Sequence, residues 1–64
     1  MEFVYLMVNG LNWENMIILL TKEEAIESSI KYPNRRVEIF IKSDLGYEPT
    51  YNFYKNGKVF ISTD

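Results

Sequence analysis

The chain contains neither cysteine nor histidine. Disulfides are therefore excluded, as are thiolate and imidazole metal ligands. The same two absences leave a serine or threonine nucleophile with only lysine or a carboxylate as its base. Long blocks of one charge are missing too. Nine acids and seven bases give a net charge of -2, so there is no broad field to draw in nucleic acid or an anionic membrane. The longest apolar runs, Phe3 to Val8 and Met16 to Leu20, fall far short of the ~20 residues that cross a bilayer. Met1-Glu2-Phe3 puts no basic segment ahead of an apolar one, so a secretory signal is not expected. A soluble, cytoplasmic protein is the default expectation, with no membrane partner.

Glycine, alanine, arginine and proline are scarce, 8 residues together, whereas Phe, Tyr, Met, Ile, Asn and Lys total 30. The abundant set is largely encoded by A/T-rich codons. This bias speaks of the genome, a low-GC bacterium, its phage or a large DNA virus, and not of chemistry.

Residues 1–64 read as one small domain. A chain this short buries only about 60% of its unfolded surface. Small folds usually add disulfides, a metal or a partner to their core. With no cysteine or histidine to supply the first two, association is the supplement that remains.

What is present in abundance is two-sided hydrophobicity. Phe3 to Val8 and Met16 to Leu20 carry apolar side chains at odd and even positions alike. In a strand, alternate side chains point to opposite faces, so both faces of these segments call for burial. The first strand, about 2–8, runs into Asn9-Gly10, a hairpin signal because both residues tolerate positive φ. A second strand, roughly 13–20, returns antiparallel, with Trp13 at its entrance.

Leu20-Thr21-Lys22-Glu23-Glu24-Ala25 opens a helix. Thr21 can cap it, Glu24 can reach back to the cap amide, and Leu20 and Ala25 have the spacing of a hydrophobic staple. The helix is expected over 22–31, with Ala25, Ile26, Ser29 and Ile30 buried, until Pro33 ends it. A third strand, about 36–42, alternates Val37, Ile39 and Ile41 with Glu38, Phe40 and Lys42. Ser43 to Pro49 reads as a turn or short loop. Strands over 50–55 and 58–62 flank Asn56-Gly57; a type I′ turn there sets Phe53 against Phe60, Tyr54 against Val59 and Lys55 against Lys58. The order β-β-α-β-β-β implies an α+β domain: a mainly antiparallel sheet of four or five strands with one helix across one face. Either Phe3, Tyr5 and Met7 or Val4, Leu6 and Val8 lie under that helix; the pattern leaves both open.

No reactive constellation stands out. Ser28 and Ser29, beside Glu27 and Lys31, read as ordinary helix residues, and Glu23, Glu27 and Lys31 as a solvated charge ladder. No catalytic residue, cofactor site or metal site is assigned. Asp44, Glu48 and Asp64 offer oxygen ligands for a hard cation but lack any calcium-loop spacing. Two surfaces carry more weight. Tyr51, Phe53, Lys55, Lys58 and Phe60 should share one face of the final hairpin, with Arg35 and Arg36 nearby; aromatics rimmed by cations can stack bases and contact phosphates. Core packing of Phe53 against Phe60 is the stronger alternative, given the acidic chain. Phe3, Tyr5, Met7, Trp13 and Tyr47 form the candidate interface set, since tyrosine and tryptophan favour interfaces. Plugging the ends of a small sheet is the equal alternative for the aromatic residues.

Taken together, Val4-Tyr5-Leu6, Leu20-Thr21-Lys22-Glu23-Glu24-Ala25, Lys31-Tyr32-Pro33-Asn34, Arg36-Val37-Glu38-Ile39-Phe40, Gly46-Tyr47 and Pro49-Thr50-Tyr51-Asn52 resemble short uncharacterised proteins of giant, mimivirus-like DNA viruses. The resemblance runs over most of the chain. It implies a viral setting, in the infected cell's cytoplasm or the virion, and brings no catalytic or ligand-binding residues with it. The functional expectation is a non-enzymatic interaction protein, a homodimeric viral accessory or virion-associated factor. The alternative is a nucleic-acid-binding protein using the aromatic and basic hairpin face.

Overall fold

The computed structural model describes residues 2–9 and 12–62, and of residues 12–14 the backbone alone. Strands β1 (Phe3–Asn9) and β2 (Asn12–Leu19), helix α1 (Lys22–Lys31), and strands β3 (Arg36–Ser43), β4 (Gly46–Lys55) and β5 (Lys58–Phe60) follow in that order. All neighbouring strands are antiparallel, and the sheet order is β2-β1-β3-β4-β5. This is the α+β arrangement implied by the element order, with five strands and one helix packed on the sheet among the described residues.

The helix forms where its capping residues put it. The Thr21 hydroxyl accepts the Glu24 amide at 3.1 Å, satisfying one of the otherwise unpaired donors of the first turn. The reciprocal arm differs from expectation, since Thr21 Oγ1 also donates to Glu24 Oε1 at 3.1 Å. The hydrophobic staple does not form: Leu20 is 69% exposed. At the far end the Tyr32 amide closes on the Ser28 carbonyl at 2.9 Å.

The core lies between the helix and one sheet face. Tyr5, Met7, Ala25, Val37 and Tyr54 form it, with Leu19, Ile26 and Ile39 packed against them. The register explains the membership. Tyr5 lies between Leu19 and Ile39, Met7 between Ile17 and Val37, and Val37 faces Tyr54. The helix therefore covers the odd-numbered face of β1, the choice the pattern had left open.

Ser29 is fully buried on the helix, and its hydroxyl has two partners. It donates to the Ile26 carbonyl at 2.7 Å and accepts the Gly57 amide at 2.9 Å. A serine at that position thus bolts the helix to the β4–β5 turn. Ile30, expected in the core, is 56% exposed and lies instead against this turn. Asn56 (φ 52°) and Gly57 (φ 81°) are both in the left-handed region, as a type I′ turn requires. The expected pairs Phe53–Phe60, Tyr54–Val59 and Lys55–Lys58 all form. A methyl group on Gly57 would come within 2.9 Å of Ile30 Cγ1. Gly57→Ala should therefore cost about 1–2 kcal/mol, combining the positive φ with the crowding. Urea unfolding checks this; an unchanged midpoint would contradict the docking.

The largest departure from expectation is in β4, which starts at Gly46 instead of about 50. Its register jumps between Glu38–Phe53 and Phe40–Pro49, leaving Thr50, Tyr51 and Asn52 opposite Ile39. Tyr51 takes φ 67° there. The Thr50 hydroxyl secures this bulge, donating to the Ile39 carbonyl at 2.8 Å and accepting the Asn52 amide at 3.1 Å. The turn or short loop expected over Ser43 to Pro49 is confined to the residues between Ser43 and Gly46, where the Ser43 hydroxyl donates to the Gly46 carbonyl and accepts the Leu45 amide. Strand β5 is shorter than expected and ends at Phe60. The Asn9-Gly10 turn lies outside the described residues, although Asn9 and Asn12 pair across it. Among the described residues no helix is long and apolar enough to cross a membrane.

Candidate functional site: an uncovered sheet face and a cleft beside the helix

Among the described residues no helix packs on the face of the sheet away from α1, although Val8 and Glu38 on that face are buried. Cross-strand pairs define it: Leu6 with Ile18, Val4 with Phe40, Leu6 with Glu38, Val8 with Arg36, Glu38 with Phe53, Lys42 with Tyr47, and Phe53 with Phe60. The β1–β2 end is aliphatic, and the β4–β5 end is aromatic. Exposure is high for Met16, Ile18 (58%), Tyr47 and Phe60, while Leu6, Phe40 and Phe53 are half-buried. On central strand β3, Arg36 Nε donates to Glu38 Oε2 in an ion pair that is itself partly buried. That pair neutralises the middle of the face.

The expected interface residues separate. Tyr5 (8% exposed) and Met7 (3%) are core residues beneath the helix, not surface. The odd face of β1 is thus the covered one, which corrects their assignment as interface. Phe3 lies on the same register at its open end. Tyr47 is on the uncovered face, with the Lys42 ammonium 5.4 Å from its ring centre. The side chain of Trp13 lies outside the described residues.

The aromatic and basic set is brought together in part. Phe53, Lys55, Lys58 and Phe60 share the uncovered register. Tyr51 does not follow them, because the bulge removes it from the alternation; it is 68% exposed. Arg35 turns to the helix end instead, its guanidinium 5.1 Å from the Tyr32 ring centre, with the Lys31 ammonium 5.6 Å from the same centre. The Phe53 and Phe60 rings stack on one another, with centres 5.1 Å apart and planes inclined by 12°. Each thereby uses one of its π faces. Lys55 reaches the Pro33 carbonyl at 3.2 Å.

On the helix side, a cleft of about 300 Å³ is lined by residues from every strand but β2, together with the first turn of α1. Phe3, Tyr5, Ile39, Tyr54, Val59 and Ile61 supply its apolar surface, and Lys22, Thr50 and Asn52 its polar groups. The Tyr5 and Tyr54 rings lie 6.3 Å apart at 47°. Sequence reasoning missed this cleft, since its residues are scattered along the chain and meet only through the strand order.

Burial raises the Tyr5 phenol above its ordinary value of 10.0, and Tyr54 and Glu23 push in the same direction. The folded state therefore holds this proton more tightly than the unfolded chain does. The associated stability is complete below about pH 10 and is lost as pH rises from there through the raised value of the folded state. Stability should fall more steeply with alkaline pH in the wild type than in Tyr5→Phe. Urea titrations from about pH 8 to 11 check this; parallel curves would contradict it.

Among the described residues no group of three or more acids is placed to hold a metal ion. Asp44 and Glu48 are exposed, and Asp64 lies outside the described residues. The Ser29 hydroxyl is occupied in docking the helix. No protein-family model, curated protein or solved structure matches the chain.

Proposed function

We propose that this is a non-enzymatic interaction protein that forms a homodimer through its uncovered sheet face. One observation carries the reading: a five-stranded sheet has a helix on one face, and Leu6, Met16, Ile18, Phe40, Phe53 and Phe60 populate the other. Apolar side chains at that density mark an interaction surface. Strands about 4.8 Å apart and about 3.3 Å per residue give a five-stranded face of the order of 500 Å² in plan. That approaches the roughly 600–800 Å² per partner typical of specific interfaces, before side-chain relief is counted.

A second copy fits this face for two reasons. A two-fold contact is self-complementary, so Arg36 and Glu38 on the central strand can exchange partners between copies without leaving a charge unpaired. Among the described residues few apolar side chains are buried, Tyr5, Met7, Val8, Ala25, Val37 and Tyr54, and a chain of this size gains most from a permanent partner. Under this reading the dimer acts as an accessory or virion-associated factor in an infected cell's cytoplasm or the virion. The A/T-rich composition and the resemblance to short giant-virus proteins support that setting. Sedimentation equilibrium at micromolar concentration tests the association. The expected mass is twice the 7.6 kDa of the chain, or 15.2 kDa; a mass of 7.6 kDa throughout would overturn it.

Nucleic-acid binding is the second reading. Lys42, Lys55 and Lys58 share the uncovered register with Phe40, Phe53 and Phe60. The mutual stacking of Phe53 and Phe60 and the aliphatic β1–β2 half weigh against it, since neither offers a free platform for bases. Anisotropy titration of a single-stranded oligonucleotide at two salt concentrations separates the readings. Binding that weakens steeply with salt would favour nucleic acid; its absence at low salt removes that alternative.

A further inference from the structure

The cleft beside the helix has a particular imbalance of hydrogen-bonding groups. Two of its acceptors are already engaged: Thr50 Oγ1 takes the Asn52 amide, and Asn52 Oδ1 takes the Ser62 amide at 2.9 Å. The Thr50 hydroxyl proton is engaged too, on the Ile39 carbonyl. What remains in the lining includes several groups able to donate. The Lys22 ammonium has no hydrogen-bond or ion-pair partner among the described residues, and neither do the Tyr5 and Tyr54 hydroxyls. The Asn52 side-chain N–H₂ joins them. The rest of the lining is apolar, Phe3, Ile39, Val59 and Ile61, with Tyr5 and Tyr54 more deeply buried than Phe3, Val59 and Ile61.

Donors around an apolar cleft suit a ligand with an acceptor-only head and a hydrocarbon body. We propose that this cleft binds one small amphiphile, an apolar chain ending in a carboxylate, with Lys22 holding the head. The volume of about 300 Å³ stands at the lower end of the roughly 300–1,000 Å³ of ligand sites, the scale of a single medium-length chain. The Tyr5 and Tyr54 hydroxyls can donate to such a head. The Glu23 carboxylate, which bears on Tyr5, opposes any anion, so selectivity for the carboxylate rests on Lys22. The cleft lies on the helix side of the sheet, so this site is independent of association through the opposite face.

Decanoate and the neutral decanol form a matched pair of probes, read by chemical-shift titration of the full chain. Decanoate should saturate a single site, shifting Tyr5, Ile39, Tyr54 and Val59 while leaving Leu6 and Ile18 unmoved. It should bind about tenfold more tightly than decanol, the scale of one charge-assisted hydrogen bond. Lys22→Gln should erase that preference and leave decanol binding unchanged. Val59→Trp, on an exposed edge position, should fill the cleft and remove both ligands; an unchanged circular dichroism spectrum shows that it folds. Equal affinity for the two probes, an unaltered preference in Lys22→Gln, shifts confined to the uncovered face, or no saturation by decanoate would each overturn the proposal.

Discussion

Val37→Asp should abolish cooperative folding. Val37 is fully buried on the central strand, between Met7 of β1 and Tyr54 of β4. The core cluster around it, Tyr5, Met7, Ala25 and Tyr54 with Leu19, Ile26 and Ile39, contains no cation. A carboxylate there has no partner for its charge, and neutralising it still leaves a buried polar group without a hydrogen bond. Substitutions of this kind cost about 4–5 kcal/mol or more. A chain of this length has a total stability of roughly 3–10 kcal/mol at about 0.05–0.15 kcal/mol per residue. The substitution therefore consumes most or all of it. Val37→Ala, which removes two methyl groups, should cost about 2 kcal/mol and keep a cooperative melt. Thermal unfolding followed by circular dichroism compares the pair. A Val37→Asp protein melting within a few degrees of the wild type would refute the core described here.

Ile18→Glu should separate the proposed dimer without unfolding the protomer. Ile18 is 58% exposed on β2, opposite Leu6, so in an isolated chain the glutamate stays in water and changes stability by about 0.5 kcal/mol or less. In a face-to-face dimer the same carboxylate enters an apolar interface, and two-fold symmetry inserts it twice. Interface positions of this kind cost about 2 kcal/mol or more each, so dissociation should strengthen at least a hundredfold. Glu27→Gln on the exposed side of the helix is the control and should leave association unchanged. Sedimentation of both variants, beside their melting curves, gives the answer. An Ile18→Glu protein that remains as associated as the wild type would show that this face is not the contact.

Local chemistry was the part of the fold legible from residues alone. The helix bounds of 22–31 follow from Thr21 and from the chain turn before Pro33, and the register of the last hairpin follows from Asn56-Gly57. Both depend on neighbours within a few positions. The failures share a different cause. Leu20 and Ile30 have the right spacing for burial but lie outside the line on which Ala25 and Ser29 meet the sheet, and that line is set by the docking of Ser29 to a turn 28 residues away. The β4 bulge depends on Thr50 finding the Ile39 carbonyl, again a long-range event. Pro49 could therefore join a strand where its sequence context reads as loop.

The candidate surface was half legible. That the first two strands need burial on both sides is plain from Phe3 to Val8 and Met16 to Leu20. Which side the helix takes was readable in principle from β3, where Val37, Ile39 and Ile41 alternate with Arg36, Glu38 and Lys42: the helix covers the wholly apolar side. Transferring that choice to β1 needs the pairing of Tyr5 with Ile39, which no local pattern encodes. The cleft was invisible for the same reason, since five separate segments build it.

An isotope-filtered nuclear Overhauser experiment on an equal mixture of labelled and unlabelled chains tests the central claim most directly. Contacts between copies should join the side chains of Leu6, Ile18, Phe40 and Phe60 to one another. Contacts between copies through Val59 and Ile61 on the helix side, or none at all in a sample that sediments at 7.6 kDa, would contradict it.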